Sequence, residues 1–159
     1  MKFLKTFVAA ILTLAAICVS AQNTPQGLTL PSVVSDNMVL QQNATANIWG
    51  WAKPKAKVSV SADWLTGKPI VVKADSEGKW IVPLQTPAAS FDPHTLTITA
   101  GKEKRTLQNV LIGDVWLCAG QSNMEWPTRY MPRRDEIYAA LSGKNIRIYY
   151  GKPKDRTAM

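Results

Sequence analysis

Cysteine is scarce in this chain, with only Cys18 and Cys118 among 159 residues. Histidine is scarcer still, with His94 alone. Beyond the first twenty or so residues no run is long and apolar enough to cross a bilayer. There is no internal repeat and no low-complexity segment. Charged residues make up 19% of the chain and hydrophobic ones 46%, a balance that excludes a disordered polar chain and allows a sizeable core. Acidic residues number 11 against 19 basic ones, for a formal charge of +8. No groove-reading motif accompanies that charge. The basic residues Arg129, Arg133, Arg134, Lys144, Arg147, Lys152, Lys154 and Arg156, interspersed with Asp135, Glu136 and Asp155, read as a solvated face rather than a nucleic-acid footprint.

The apolar run that does exist lies at the start. Lys2 and Lys5 precede Phe7 to Ile17, and Val19-Ser20-Ala21 offers small residues for cleavage, with Gln22 as the new N-terminus. These are the three parts of an export signal, predicted over residues 1–21. Its removal takes two charges and Cys18 away. One remaining cysteine makes no internal disulfide, and Cys118, within Val115-Trp116-Leu117-Cys118, reads as a buried, inert thiol. The expected location is the periplasm or the exterior, with no membrane attachment after cleavage.

Residues 22–108 carry short segments of period-two alternation separated by turn residues. Strands are predicted over Thr45 to Trp51, Lys57 to Ala62, Ile70 to Lys73, Lys79 to Leu84 and Thr95 to Ala100. Val58, Val60 and Ala62 share one face, and Leu96 and Ile98 point inward. Closely spaced strands of this kind predict a β-sandwich. Trp49, Trp51, Trp64 and Trp80 read as large core side chains rather than a sugar platform. Pro54, Pro69, Pro83, Pro87 and Pro93 are expected at or near strand ends.

The pattern changes at residue 109. Val110 to Cys118 is nearly continuous in apolar residues, as in a strand buried on both faces. Ala119 to Asn123 reads as a turn and Asp135 to Ser142 as a short helix that Gly143 stops, with Ile137, Ala140 and Leu141 on one face. Asn145 to Tyr150 alternates again, with Ile146 and Ile148 on one side. Strand, turn, helix and strand make the beginning of a βαβ unit over 109–159, broken off as its sheet should grow. The predicted class is therefore β plus α/β.

A serine directly after a buried strand sits where ligands of open α/β sheets bind. Gly120 would allow a sharp turn there, and a helix starting close behind would aim free N–H groups at a developing oxyanion. Met124 stands where G-x-S-x-G needs its second glycine, so the ordinary α/β-hydrolase elbow fits poorly. Asp114 reads as a cap on the loop before the nucleophile strand or as a partner of a nearby backbone group, not as a catalytic residue.

Gly120-Gln121-Ser122-Asn123-Met124 resembles the first block of the SGNH (GDSL-like) hydrolases, in the variant of the sialate O-acetylesterases. Pro31 to Gln41 (Pro-Ser-Val-Val-Ser-Asp-Asn-Met-Val-Leu-Gln), Ile48 to Ala52, Gly78-Lys79-Trp80 and Leu107 to Trp116 are similar to further blocks of that family, in order, across about residues 28–150. The resemblance implies a jelly-roll or Ig-like β-sandwich followed by the opening of an SGNH-type α/β/α domain. It implies removal of O-acetyl groups from sialic acids or other acetylated glycans by serine-ester chemistry, with no metal or organic cofactor. Ser122 would be the nucleophile and its backbone N–H part of the oxyanion hole. Gln121, Asn123, Glu125 and Trp126, which adjoin the serine, are candidates to line the substrate, with Trp126 as packing and Glu125 as a helix-start charge the alternative reading. The family takes its base from an Asp-x-x-His block, which this sequence does not contain. His94, in Phe91-Asp92-Pro93-His94, precedes the serine at the wrong spacing. The resemblance thus implies an N-terminal piece that is inactive alone. Two other readings remain open: an esterase for acetylated plant polysaccharides, and a non-catalytic carbohydrate-binding module.

Overall fold

In the computed structural model, period two is realised as seven strands. The structure describes residue 25, residues 27–120 and residues 122–151, so the predicted export signal and Gln121 lie outside the described residues. The strands are β1 (Val39–Gln41), β2 (Thr45–Trp51), β3 (Lys57–Ala62), β4 (Ile70–Lys73), β5 (Lys79–Gln85), β6 (Ser90–Ala100) and β7 (Glu103–Gly113). Five form one sheet in the order β1-β7-β6-β3-β4, and β2 pairs with β5 in a second. The pairings are antiparallel except for β1 and β7, which run parallel with Val39 opposite Leu111.

The two sheets share one core. Val58, Val60 and Ala62 of β3 and Leu96, Ile98 and Ala100 of β6 face Ile48 of β2 and Trp80, Val82 and Leu84 of β5. Val110 and Ile112 of β7 complete it. Each fully buried aliphatic side chain contributes about 1.5–3 kcal/mol relative to exposure, which is why the alternating positions fix the register. Trp80 is 2% exposed, and Trp49 and Trp64 pack against the same core. Gly101, at φ 61°, opens the two-residue loop that turns β6 into β7, a conformation open to glycine at little cost.

Two prolines sit inside strands rather than at their ends. Pro83 lies opposite Asn47 in β5, whose only ladder is with β2. Pro93 falls in the part of β6 where the register to β7 shifts between Ser90 and His94. In both places the absent N–H breaks no regular central ladder.

Beyond β7 the expectations fare differently. The apolar run does not continue as one strand. Val110 to Ile112 ends β7, while Val115 to Cys118 forms no strand, and Trp116 and Leu117 are 85% and 93% exposed. Cys118 is exposed, not buried. An apolar run is covered only where neighbouring strands pair with it, and among the described residues none pairs with 115–118. For the same reason Asn145 to Tyr150 is not a strand, and Ile148 is 88% exposed. The predicted helix forms as α1 (Arg134–Leu141), with Gly143 at φ 73° just past its end.

Candidate active site

Local chemistry holds the segment that leads to Ser122. Where β7 ends, the Gln42 amide N–H donates to the Gly113 carbonyl at 2.9 Å. The Gln42 side chain donates to Asp114 Oδ1 at 2.9 Å, and the Val115 N–H donates to Gln41 Oε1 at 2.8 Å. Two consecutive glutamines at the end of β1 therefore fix how the chain leaves the β-rich domain. Asp114 accepts from a side-chain amide rather than from a backbone group.

Ser122 opens a single 3-10 turn, Ser122–Glu125, and is exposed. Gly120 has no special φ but lies close to Met124: a Cβ there would stand 2.6 Å from Met124 Cγ, so that side chain would have to shift. A second 3-10 turn, Thr128–Tyr130, follows, closed by the Tyr130 N–H donating to the Pro127 carbonyl at 3.0 Å. No α-helix starts directly behind the serine, and α1 begins at Arg134. Two short turns intervene because Pro127 interrupts the helical path. The side chains of Asn123 and Glu125, like the whole of Gln121, lie outside the described residues.

Trp126 is exposed and meets Tyr130 edge to face, with ring centroids 6.2 Å apart. Arg129 Cζ lies 4.8 Å from the Tyr130 ring centre, a cation over an aromatic face. Arg129 and Met131 border a cleft of about 370 Å³ together with Arg133, Arg134, Asp135 and Glu136. Glu136 pairs with Arg133 and raises its already high pKa further, and Asp135 pairs with Arg134. Arg129 has no carboxylate partner among the described residues. Exposed aromatic rings therefore lie beside a guanidinium that has no carboxylate partner among the described residues. The sequence named Trp126 but not Tyr130, whose spacing of four from Trp126 was the available signal.

His94 is engaged elsewhere. Its Nδ1 lies 2.7 Å from Asp63 Oδ1, and its ring meets Trp64 at 5.1 Å between centroids. It stands in β6 opposite Val110. Among the described residues no three His, Cys, Asp or Glu side chains gather as a metal site.

No family model matches the chain. Similar proteins are nonetheless specific. The chain is 39% identical over 108 residues to the sialate O-acetylesterase of Homo sapiens, covering 62% of this chain and 20% of that protein. It is 33% identical over 134 residues to the sialate O-acetylesterase of Mus musculus, covering 77% and 24%. Among solved structures, a carbohydrate acetylesterase from Xanthomonas citri superposes with a TM-score of 0.62 at 39% identity, over 72% of this chain and 26% of that one. The chain thus spans about a fifth to a quarter of the length of the curated relatives it matches. Over that stretch it belongs to the sialate O-acetylesterase family.

Proposed function

We propose that this chain carries Ser122 as the nucleophile of a carbohydrate O-acetylesterase. In this reading a jelly-roll or Ig-like β-sandwich over 22–108 precedes the first elements of an SGNH-type α/β/α domain over 109–159, and the protein acts outside the cytoplasm after cleavage behind Ala21. The observation that carries it is the placement of Ser122 on an exposed turn, at the end of a segment tethered to β1. The bare apolar residues Trp116, Leu117 and Ile148 support the second domain, because a growing α/β sheet would cover them.

The chemistry follows from the nucleophile. Ser122 Oγ attacks the acetyl carbonyl while a base takes its proton, giving a tetrahedral oxyanion that the Ser122 N–H helps to hold. The C–O bond to the sugar breaks, the sugar oxygen takes the proton back, and acetyl-Ser122 remains. Water, deprotonated by the same base, releases acetate. In this reading the base is the histidine of the family's Asp-x-x-His block, since His94 stands in β6 against Trp64 and makes no hydrogen bond to Ser122 among the described residues. Gln121, Asn123, Glu125 and Trp126 border the sugar, with Arg129 and Tyr130 beyond them. An O-acetylated sialic acid fits the exposed Arg129, since its carboxylate can pair with that guanidinium.

The test uses a chain extended through the Asp-x-x-His block. Acetate release from O-acetylated sialic acid is expected to fall by about four orders of magnitude or more in Ser122→Ala. Equal turnover in Ser122→Ala would overturn the assignment. Preference for acetylated xylan would redirect the substrate but not the chemistry, and sugar binding without turnover would favour a carbohydrate-binding module.

A further inference from the structure

Two family-like blocks that the chemistry leaves unused, Ser35 to Met38 and Leu107 to Val110, touch each other across the first sheet. The Gln108 N–H donates to Asp36 Oδ1 at 2.8 Å, and the Asn37 N–H donates to the Gln108 carbonyl at 3.0 Å. The Asn109 side-chain amide donates to Asn37 Oδ1 at 2.7 Å. Both asparagines hold left-handed backbone, at φ 64° and 55°. Asparagine is the non-glycine residue that tolerates this conformation while keeping a polar side chain.

Onto this pair comes Arg147, from beyond α1. Its Nη1 donates to the Met38 and Asn109 carbonyls at 3.2 and 2.5 Å, and its Nη2 donates to Asn109 Oδ1 at 3.0 Å. From residue 138 to residue 151 Arg147 alone is half-buried, while every neighbour is exposed. Close by in sequence, the Tyr149 hydroxyl bonds Ser32. The other leg of the same excursion is held by Gln41 and Gln42 at Asp114 and Val115. Both legs of the chain that carries Ser122 are therefore tied to the β1–β7 edge.

We infer that Arg147, acting with Asn37 and Asn109, is a positioning residue that closes the base of the Ser122 excursion onto the β-rich domain. Its planar fork reads a backbone carbonyl and a side-chain carbonyl of one residue together, which a lysine point charge cannot do. Closing the loop at its base removes chain entropy that would otherwise oppose any fixed place for the turn. The bearing on catalysis rests on the proposed role of Ser122, whereas the docking itself does not.

Amide hydrogen exchange by NMR on the 159-residue chain tests it. Arg147→Met is expected to speed exchange at the hydrogen-bonded amides of Lys144 and Ile146 at least threefold, while the core amides of Val60 and Ile98 and the thermal midpoint stay unchanged. Arg147→Lys is expected to restore less than half of that protection. Asn109→Gly, which keeps the left-handed backbone and both backbone acceptors but removes Oδ1, is expected to give a smaller acceleration than Arg147→Met. Ser122→Ala is expected to behave as wild type, so that a silent serine and a failed tether are told apart. Exchange within twofold of wild type in Arg147→Met, full protection in Arg147→Lys, or an equal acceleration at Val60 and Ile98 would overturn the inference.

Discussion

Asp63 receives two hydrogen bonds from adjacent residues of β6: the His94 ring meets its Oδ1 and the Thr95 N–H its Oδ2, each at 2.7 Å. The Asp63 N–H returns one to the Thr95 carbonyl at 3.2 Å. This carboxylate thus closes the turn after β3 onto β6. Its side chain is 44% exposed, so solvent weakens the charge contribution. Asp63→Ala is expected to cost about 1 kcal/mol, visible as a drop of a few degrees in the thermal midpoint followed by circular dichroism. No change would show that the bonds are replaced by water.

Core and surface apolar residues should part sharply. Leu96 is fully buried, and Leu96→Ala is expected to destabilise by about 2–5 kcal/mol in urea unfolding. That is a large share of a small domain's total stability. Ile148→Ser, at an exposed position, is expected to stay within about 0.5 kcal/mol and to improve solubility by shrinking the apolar surface.

The strands of the core were legible because their periodicity and their burial have one cause. Thr45–Trp51, Lys57–Ala62 and Ile70–Lys73 fall where the alternation put them. Strand β1 escaped notice because three residues give no period. The first half of β7 escaped because Glu103 to Thr106 are polar and exposed on both faces. Val115 to Cys118 was misread for the opposite reason: an apolar run states a need for cover, and only neighbouring chain can meet it. At the candidate site, the serine and its turn could be read from the Gly120-Gln121-Ser122 block. The tethers at Gln41, Gln42 and Arg147 could not, since they join residues from 38 to 109 positions apart.

Glycines test the turns independently. Gly78 sits at φ 84°, and a Cβ there would collide with the Ala52 carbonyl oxygen. Gly101 has φ 61° and open space around it. Gly78→Ala is therefore expected to destabilise clearly more than Gly101→Ala, whose cost is the left-handed backbone alone, about 1–2 kcal/mol. Equal midpoints in paired denaturant melts would contradict the close packing of the β4–β5 turn on Ala52.

Cys118 gives a simple check on the segment before Ser122. In a chain beginning at Gln22, the native protein is expected to titrate one thiol with Ellman's reagent without denaturant. The thermal midpoint should be unaffected by the label. A thiol that reacts only on unfolding would restore the buried strand expected at 115–118.

Pro83 carries a consequence for life among other proteins. A short two-stranded ribbon presents backbone donors and acceptors that a foreign strand can capture, which is how edge-to-edge aggregation begins. With no amide hydrogen at the middle of β5, that ribbon cannot template an uninterrupted new ladder. The residue that looks like a flaw in the strand thereby withholds a donor that an added strand would need.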